Sequence, residues 1–319
     1  MNYLVTGGRG FIGSHIVRRL IHEGHRVVCY AHNTDTTSMN EIMSPEEIVQ
    51  VKIVCGQIND MQLIMQTIID EHIEVIIHEA AVLGAVGEVL PRRAVEVNIL
   101  GTMTIFEAAR LTGIKRVVWA SSQSIFGMPE YYEKLIGPGL IPNDAPLNPS
   151  LVYGGTKMFC EFIANWYYEK YGLETIGLRY TMVFGLGRQR GAGQYATELI
   201  NNPALGIPGV VENGDTAPCW IYVEDAARAT VMASQCSNTK SRVFTLGLDI
   251  VPIKDIRDYI LTLLPDADIR LLPGYFPAAY NLDCSQAEKE FGFKCEYSVF
   301  DGVHETINII RAKRGLEPV

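Results

Sequence analysis

Apolar residues fall along this chain in two habits. Short unbroken runs rich in valine, isoleucine and aromatics occupy Asn2–Thr6, Arg26–Tyr30, Val51–Val54, Glu74–His78, Arg116–Ala120, Glu174–Arg179 and Arg242–Leu246. Longer stretches, in which they recur every three or four positions, lie between these at Ser14–Glu23, Asp60–Glu71, Val95–Leu111 and Met158–Tyr171. The first habit predicts strands buried on both faces, and the second predicts amphipathic helices. Their alternation predicts an α/β fold, a doubly wound parallel sheet covered by helices on both sides.

After Arg179 the pattern breaks. Residues 180–219 are rich in glycine, proline and asparagine and carry Gly185-Leu186-Gly187-Arg188-Gln189-Arg190-Gly191, and a second loop-rich stretch runs from Leu272 to Tyr280. Both predict surface segments that close over the C-terminal edge of the sheet, where open α/β folds bind ligands. Trp220–Leu246 predicts a return to the sheet. The expected division is a dinucleotide-binding domain of residues 1–179 and 220–250 and a smaller, discontinuous substrate domain of residues 180–219 and 251–319. The stretch Met128–Leu140, with Tyr131 and Tyr132, reads equally as a lid on an aromatic-walled pocket or as a plain surface loop.

Composition narrows the class. The chain has 319 residues and a net charge of −9, which argues against nucleic acid or an anionic membrane surface as partner. Strand-like sequence from Asn2 predicts no signal peptide, and no apolar run is long enough to span a bilayer. Seven scattered cysteines with no C-x-x-C pair predict reduced thiols in the cytoplasm and no metal site.

Two stretches carry chemistry. Gly7-Gly8-Arg9-Gly10-Phe11-Ile12-Gly13 follows the first strand and opens the first helix, the context in which a glycine motif binds a dinucleotide. Gly7 makes the turn, Gly10 lets a pyrophosphate approach the backbone, and Gly13 lets helix and strand pack closely, with helix N–H groups left facing the phosphates. The second stretch is Tyr153-Gly154-Gly155-Thr156-Lys157, which leads into the last amphipathic run. On a helix, Tyr153 and Lys157 share one face. A cation held beside a phenol favours the phenolate and makes the pair an acid–base unit.

With Ser121-Ser122 after the fifth strand, these features resemble the extended short-chain dehydrogenase/reductase family, the NAD-dependent epimerase/dehydratase-like group. The resemblance runs almost the whole length: Thr6 to Gly13 for the cofactor turn, His78-Glu79-Ala80-Ala81, Asn98-Ile99-Leu100-Gly101-Thr102, Trp119-Ala120-Ser121-Ser122, Tyr153 to Lys157, Leu178-Arg179-Tyr180 with Phe184-Gly185, and Trp220 to Asp225. It implies a Rossmann domain and an enzyme that moves a hydride to or from a secondary alcohol or carbonyl carbon. Tyr153 is then the acid/base, Lys157 its modulator and a contact to the nicotinamide ribose, and Ser122, rather than Ser121 or Ser124, the donor to the substrate oxygen. Asn98 orders the site or caps a helix. The expected cofactor contacts are Gly7, Arg9, Gly10, Phe11, Ile12, Gly13, His32, Gln57, Ile58, Ala80, Ala81, Tyr153 and Lys157. Ser124 joins Ser122 and Tyr153 among the substrate contacts. The resemblance also implies a homodimer through Val95–Leu111 and Met158–Tyr171, segments whose apolar content packing on the sheet alone also explains.

The departures concern ligands. Met182 stands where nucleotide-sugar members carry an asparagine, and Pro218 and Cys219 stand where they carry a diphosphate-binding arginine. Leu271-Leu272 replaces a second such arginine. Losing both charge-assisted contacts points instead to a small polar or acidic substrate of sugar-acid or hydroxy-acid type, with Arg188 or Arg190 as the carboxylate clamp. An epimerase or dehydratase with transient oxidation is the alternative, and a non-catalytic dinucleotide sensor is the reading from another class. Ala31 and Gln57 replace the usual acidic residues around the adenosine, so NAD(P) is expected, with Arg9 and His32 favouring NADP.

Overall fold

The computed structural model describes residues 1–188, 196–237 and 239–319. Its strands are β1 (Asn2–Thr6), β2 (Arg26–Ala31), β3 (Lys52–Cys55), β4 (Val75–His78), β5 (Arg116–Ser122), β6 (Glu174–Tyr180), β7 (Met182–Phe184), β8 (Gly209–Val211), β9 (Trp220–Tyr222), β10 (Val243–Leu246) and β11 (Ile269–Leu271). Seven form one sheet in the order β10-β6-β5-β4-β1-β2-β3, every pair parallel. These are the seven runs anticipated from sequence, each within two residues at either end.

Side chains alternate across this sheet, and each face has its own core. Val5, Ile77, Val118 and Leu178 point to one face, under the helices Phe11–His22 and Val223–Gln235. Leu4, Ile76, Val117 and Trp119 point to the other, under Met61–Asp70, Gly101–Thr112 and Val152–Tyr171. The strand order reverses between β1 and β4, which opens a crevice at their carboxyl ends. The outer edge of β10 is closed by a side chain. Asn143 Nδ2 donates to Val243 O at 2.9 Å, and Asn143 Oδ1 accepts from Thr245 N at 2.9 Å.

Three expectations change. The Val152–Tyr171 helix begins six residues before the amphipathic run, so Tyr153 and Lys157 both lie inside it. Its start carries Gly154 and Gly155, poor helix formers that hide it from the pattern. Gly154 is required there, because a Cβ would sit 2.0 Å from Ser124 O. Trp220–Tyr222 does not join the main sheet but pairs with β7. The chain re-enters only at β10, after the Val223–Gln235 helix. Finally, Met128–Leu140 is no lid. It forms the helix Pro129–Ile136, whose Tyr132 is buried against Phe126 in a small satellite core, its hydroxyl donating to Pro146 O, and no residue of the stretch lines the crevice.

Candidate active site

The crevice at the switch point is a cavity of about 640 Å³, within the size range of cofactor and substrate sites. At one end lies the glycine turn. Gly7 has φ +67°, and a Cβ there would stand 2.6 Å from Ala80 N; a Cβ on Gly13 would stand 2.2 Å from Gly7 O. The turn is therefore packed backbone to backbone, and the Phe11–His22 helix opens behind Gly10 with no side chain capping its N-terminus. That leaves backbone donors facing the cavity, a fit to a dinucleotide's pyrophosphate.

Gly7, Arg9, Gly10, Phe11, Ile12, Gly13, His32, Gln57, Ile58, Ala80 and Ala81 all line this cavity. At its far corner Arg9 is buried and its Nη1 donates to Asn33 O and, at 3.0 Å, to Asn33 Oδ1, while Asn33 Nδ2 donates to His32 Nε2 at 3.1 Å. Arg9 Nε is buried without a partner. Asp35 faces the same corner, an acidic residue that reading the end of β2 alone passed over.

The turn is joined to the middle of the site by a string of hydrogen bonds. Thr6 Oγ1 lies 2.6 Å from His78 Nδ1, His78 Nε2 lies 3.0 Å from Thr102 Oγ1, and Thr102 Oγ1 donates to Asn98 O at 2.6 Å. Because Thr102 spends its proton on Asn98, His78 donates through Nε2 and accepts from Thr6. Burial, and secondarily the Lys157 charge, hold the His78 imidazole down to about 3, so it serves as a neutral link.

Asn98 lies within a π-helical turn, Val95–Leu100, and caps nothing. Its amide takes both backbone groups of Val82, at 2.7 Å and 3.0 Å, and donates to Thr156 Oγ1 at 3.0 Å. It thus straps the Ala80–Leu83 wall of the cavity to the Val152–Tyr171 helix.

At the other end stand Ser122, Ser124 and Tyr153, all lining the cavity. Lys157 is fully buried, its Nζ donating to Ala120 O at 2.6 Å and lying 5.8 Å from the centre of the Tyr153 ring. The Tyr153 hydroxyl makes no hydrogen bond among the described residues. Ser121 and Ser122 diverge as neighbours on a strand must. Ser121 Oγ donates to Glu161 at 2.6 Å, whereas Ser122 Oγ accepts from Ser124 N at 3.1 Å and keeps its proton to donate.

Behind the serines, Arg179 clasps Glu161 with two bonds of 2.8 Å and 2.7 Å, both side chains buried. Neither residue was singled out from sequence, although Tyr153, Lys157 and Glu161 follow one another at helical spacing, and a carboxylate on that buried face was a readable signal. Glu79 and Tyr180 were also missed. Tyr180 donates to Glu79 Oε1 at 3.0 Å and lies 2.6 Å from Thr230 Oγ1. Burial pushes the Glu79 carboxyl up to about 7, with the Tyr180 hydrogen bond and the Lys157 charge pulling the other way.

Arg188 lines the cavity between two elements: its guanidinium stands over the Phe11 ring of the glycine turn at 5.3 Å, and Nη1 donates to Val183 O on β7 at 2.9 Å. Arg190 lies outside the described residues. Met182 is at the wall, whereas Cys219 is buried and turned toward Gly247 and Thr181. No cluster of metal-binding side chains occurs among the described residues, nor any helix long and apolar enough to cross a membrane.

Comparison with known proteins agrees with this geometry. The sequence profile of the NAD dependent epimerase/dehydratase family matches residues 3–247. A putative UDP-glucose 4-epimerase of Methanocaldococcus jannaschii is 32% identical over 76% of this chain and 76% of its own length, and Protein CapI of Staphylococcus aureus is 29% identical over 97% and 98%. In fold, the chain resembles the UDP-glucose 4-epimerase of Thermotoga maritima, with a TM-score of 0.85 at 23% identity over 98% of this chain and 100% of that one. It also resembles a partial-consensus L-threonine 3-dehydrogenase, with a TM-score of 0.86 at 22% identity over the same shares. The chain therefore belongs to the NAD-dependent epimerase/dehydratase family and is an enzyme of the extended short-chain dehydrogenase/reductase type.

Proposed function

We propose that this enzyme is an NAD(P)-dependent dehydrogenase or reductase of a small polar or acidic secondary alcohol or its carbonyl counterpart, of the sugar-acid or hydroxy-acid type. The observation that carries the reading is the junction of two half-sites in one cavity: a backbone-lined phosphate cradle at one end, and Ser122 with Tyr153 over buried Lys157 at the other. The dinucleotide, when bound, supplies or accepts the hydride. Tyr153 then holds or releases the proton at the substrate oxygen, Ser122 donates to that oxygen, and Lys157 keeps positive charge beneath the phenol. Gly7 to Gly13 hold the phosphates, while Gln57, Ile58, Ala80 and Ala81 flank the rest of the cofactor.

A small substrate is supported by the lining of the cavity. Among the described residues its cations are Arg9, Arg93 and Arg188, and none comes from positions 218–219 or 271–272. We assign Arg188, with Arg190, to an anionic group of the substrate. For the cofactor, Arg9 and Ala31 support NADP and Asp35 opposes its phosphate. Arg9→Ala is expected to weaken NADP binding about tenfold and leave NAD unchanged in paired titrations, and equal loss for both would remove Arg9 from the phosphate site. We further propose a cytoplasmic homodimer. Seven unpaired thiols support the compartment, and the exposed Leu100, Phe159 and Phe162 on the two expected helices support the dimer.

A second reading, a sugar or nucleotide-sugar epimerase, is favoured by the names of relatives that match most of the chain. One experiment separates them. Purified enzyme is given NAD or NADP with a panel of sugar acids, hydroxy acids, free sugars and UDP-sugars, and reduced cofactor is followed by absorbance. Stoichiometric reduction with an acid establishes the dehydrogenase. A substrate isomerised without net reduction establishes the epimerase.

A further inference from the structure

Along β4 the residues facing the Val223–Gln235 helix are Val75 and Ile77, and the next residue of that parity is Glu79. The row of apolar side chains thus ends in a carboxyl group at the mouth of the cavity. On β5 the small Ala120 lies one residue past the Trp119 that pairs with His78, and Ser122 follows on the same face; on β6 the row ends in Tyr180, which is paired in register with Ser122. The space above Ala120 lets Tyr180 reach across a whole strand to Glu79. The carboxyl therefore lies under the catalytic end of the site, close enough to feel Lys157, and yet Lys157 gives its hydrogen bond to Ala120 O. Among the described residues no cation comes within ion-pair distance of Glu79.

Other groups do not compensate. The charged or titratable groups acting on it are Tyr180 from β6 and Lys157 from the Val152–Tyr171 helix, with the neutral His78 next to it on β4. From β1 and the Val223–Gln235 helix the hydroxyls of Thr6 and Thr230 bond around it, the first to Ala80 N and the second to Tyr180. Tyr180 donates to Glu79 and so satisfies one oxygen without neutralising the group.

We propose that Glu79 sets which oxidation state of the dinucleotide the enzyme holds more tightly: ionised, it favours the cationic oxidised ring, and protonated, it loses that preference. The inference rests on the reading above that the nicotinamide end lies at Ser122 and Tyr153. A single charge at the edge of a partly dry cavity is worth about a tenfold difference in affinity between a cationic and a neutral ring.

The test is a set of equilibrium titrations of the whole enzyme with NAD+ and NADH, and with NADP+ and NADPH, from about pH 5.5 to about pH 8.5, where a carboxyl so shifted changes charge. In the wild type the ratio Kd(reduced)/Kd(oxidised) is expected to rise about tenfold across this range. In Glu79→Gln it stays flat at the acidic value. Tyr180→Phe removes the hydrogen bond that favours the ionised form and moves the inflection to higher pH. A wild-type ratio that does not change with pH, or a Glu79→Gln enzyme with the wild-type profile, overturns this inference and leaves the proposed function standing. Failure of all four dinucleotides to bind overturns both.

Discussion

The two ends of the cavity are built in different ways. At the glycine-turn end the walls are backbone: Gly7 against Ala80, Gly13 against Gly7, and Val82 strapped on both sides by Asn98. Nothing larger than hydrogen fits at the first two positions, so the sequence there has little freedom. At the other end the walls are side chains brought from distant parts of the chain, Leu151, Met182 and Phe276. On the function proposed above, one end would hold a ligand whose shape is constant, and the other whatever the particular enzyme transforms.

Mutations that respect this division sharpen it. Tyr153→Phe is expected to lower kcat about a thousandfold while leaving dinucleotide Kd within a factor of about two, and a large change in Kd would show the two ends to be one unit. Glu161→Ala leaves the buried Arg179 guanidinium without its partner. It should cost about 3–5 kcal/mol of stability in urea unfolding and reduce kcat as the Ser121–Ser122 strand end loosens. A loss below about 1 kcal/mol would mean that solvent enters the pair.

Arg188→Met tests the substrate end, with KM for an acidic substrate rising about tenfold and kcat little affected. Unchanged kinetics would remove Arg188 from substrate recognition and leave it to the cofactor side, where Phe11 holds it. The smallest effect is on the unliganded protein. The Glu79 carboxyl binds its proton more tightly folded than unfolded, so its contribution to stability falls as pH rises from about 4.5 to about 7. Glu79→Gln should therefore raise Tm by a few degrees at about pH 8 and much less at about pH 5, and a pH-independent gain would place the carboxyl in water.

The same contrast explains what could be read without coordinates. All seven strands of the main sheet were legible, since parallel strands buried on both faces leave unbroken apolar runs. The glycine turn and the Tyr153–Lys157 spacing were legible because each is local. What escaped was non-local. The pairing of β9 with β7 joins two three-residue strands across a long interval, too short for periodicity to register. Glu79 drew attention only as one letter of a strand-end motif, since its partner Tyr180 stands 101 residues away. The Met128–Leu140 stretch reads equally as a lid or a surface loop because its tyrosines are apolar enough for either use, and the satellite core formed with Ala279 and Leu282 decides between them.

Asn143 carries a consequence of another kind. A parallel sheet offers its last strand's unpaired carbonyls and amides to any other chain that can add to it. With Val243 O and Thr245 N both occupied by one carboxamide, that edge is closed by a side chain instead of an eighth strand. The loop that brings Asn143 there is the same one whose backbone oxygen receives Arg179. Loss of this carboxamide would leave chemistry largely intact and solubility impaired: Asn143→Ala protein should turn over normally when dilute and form β-rich aggregates on concentration.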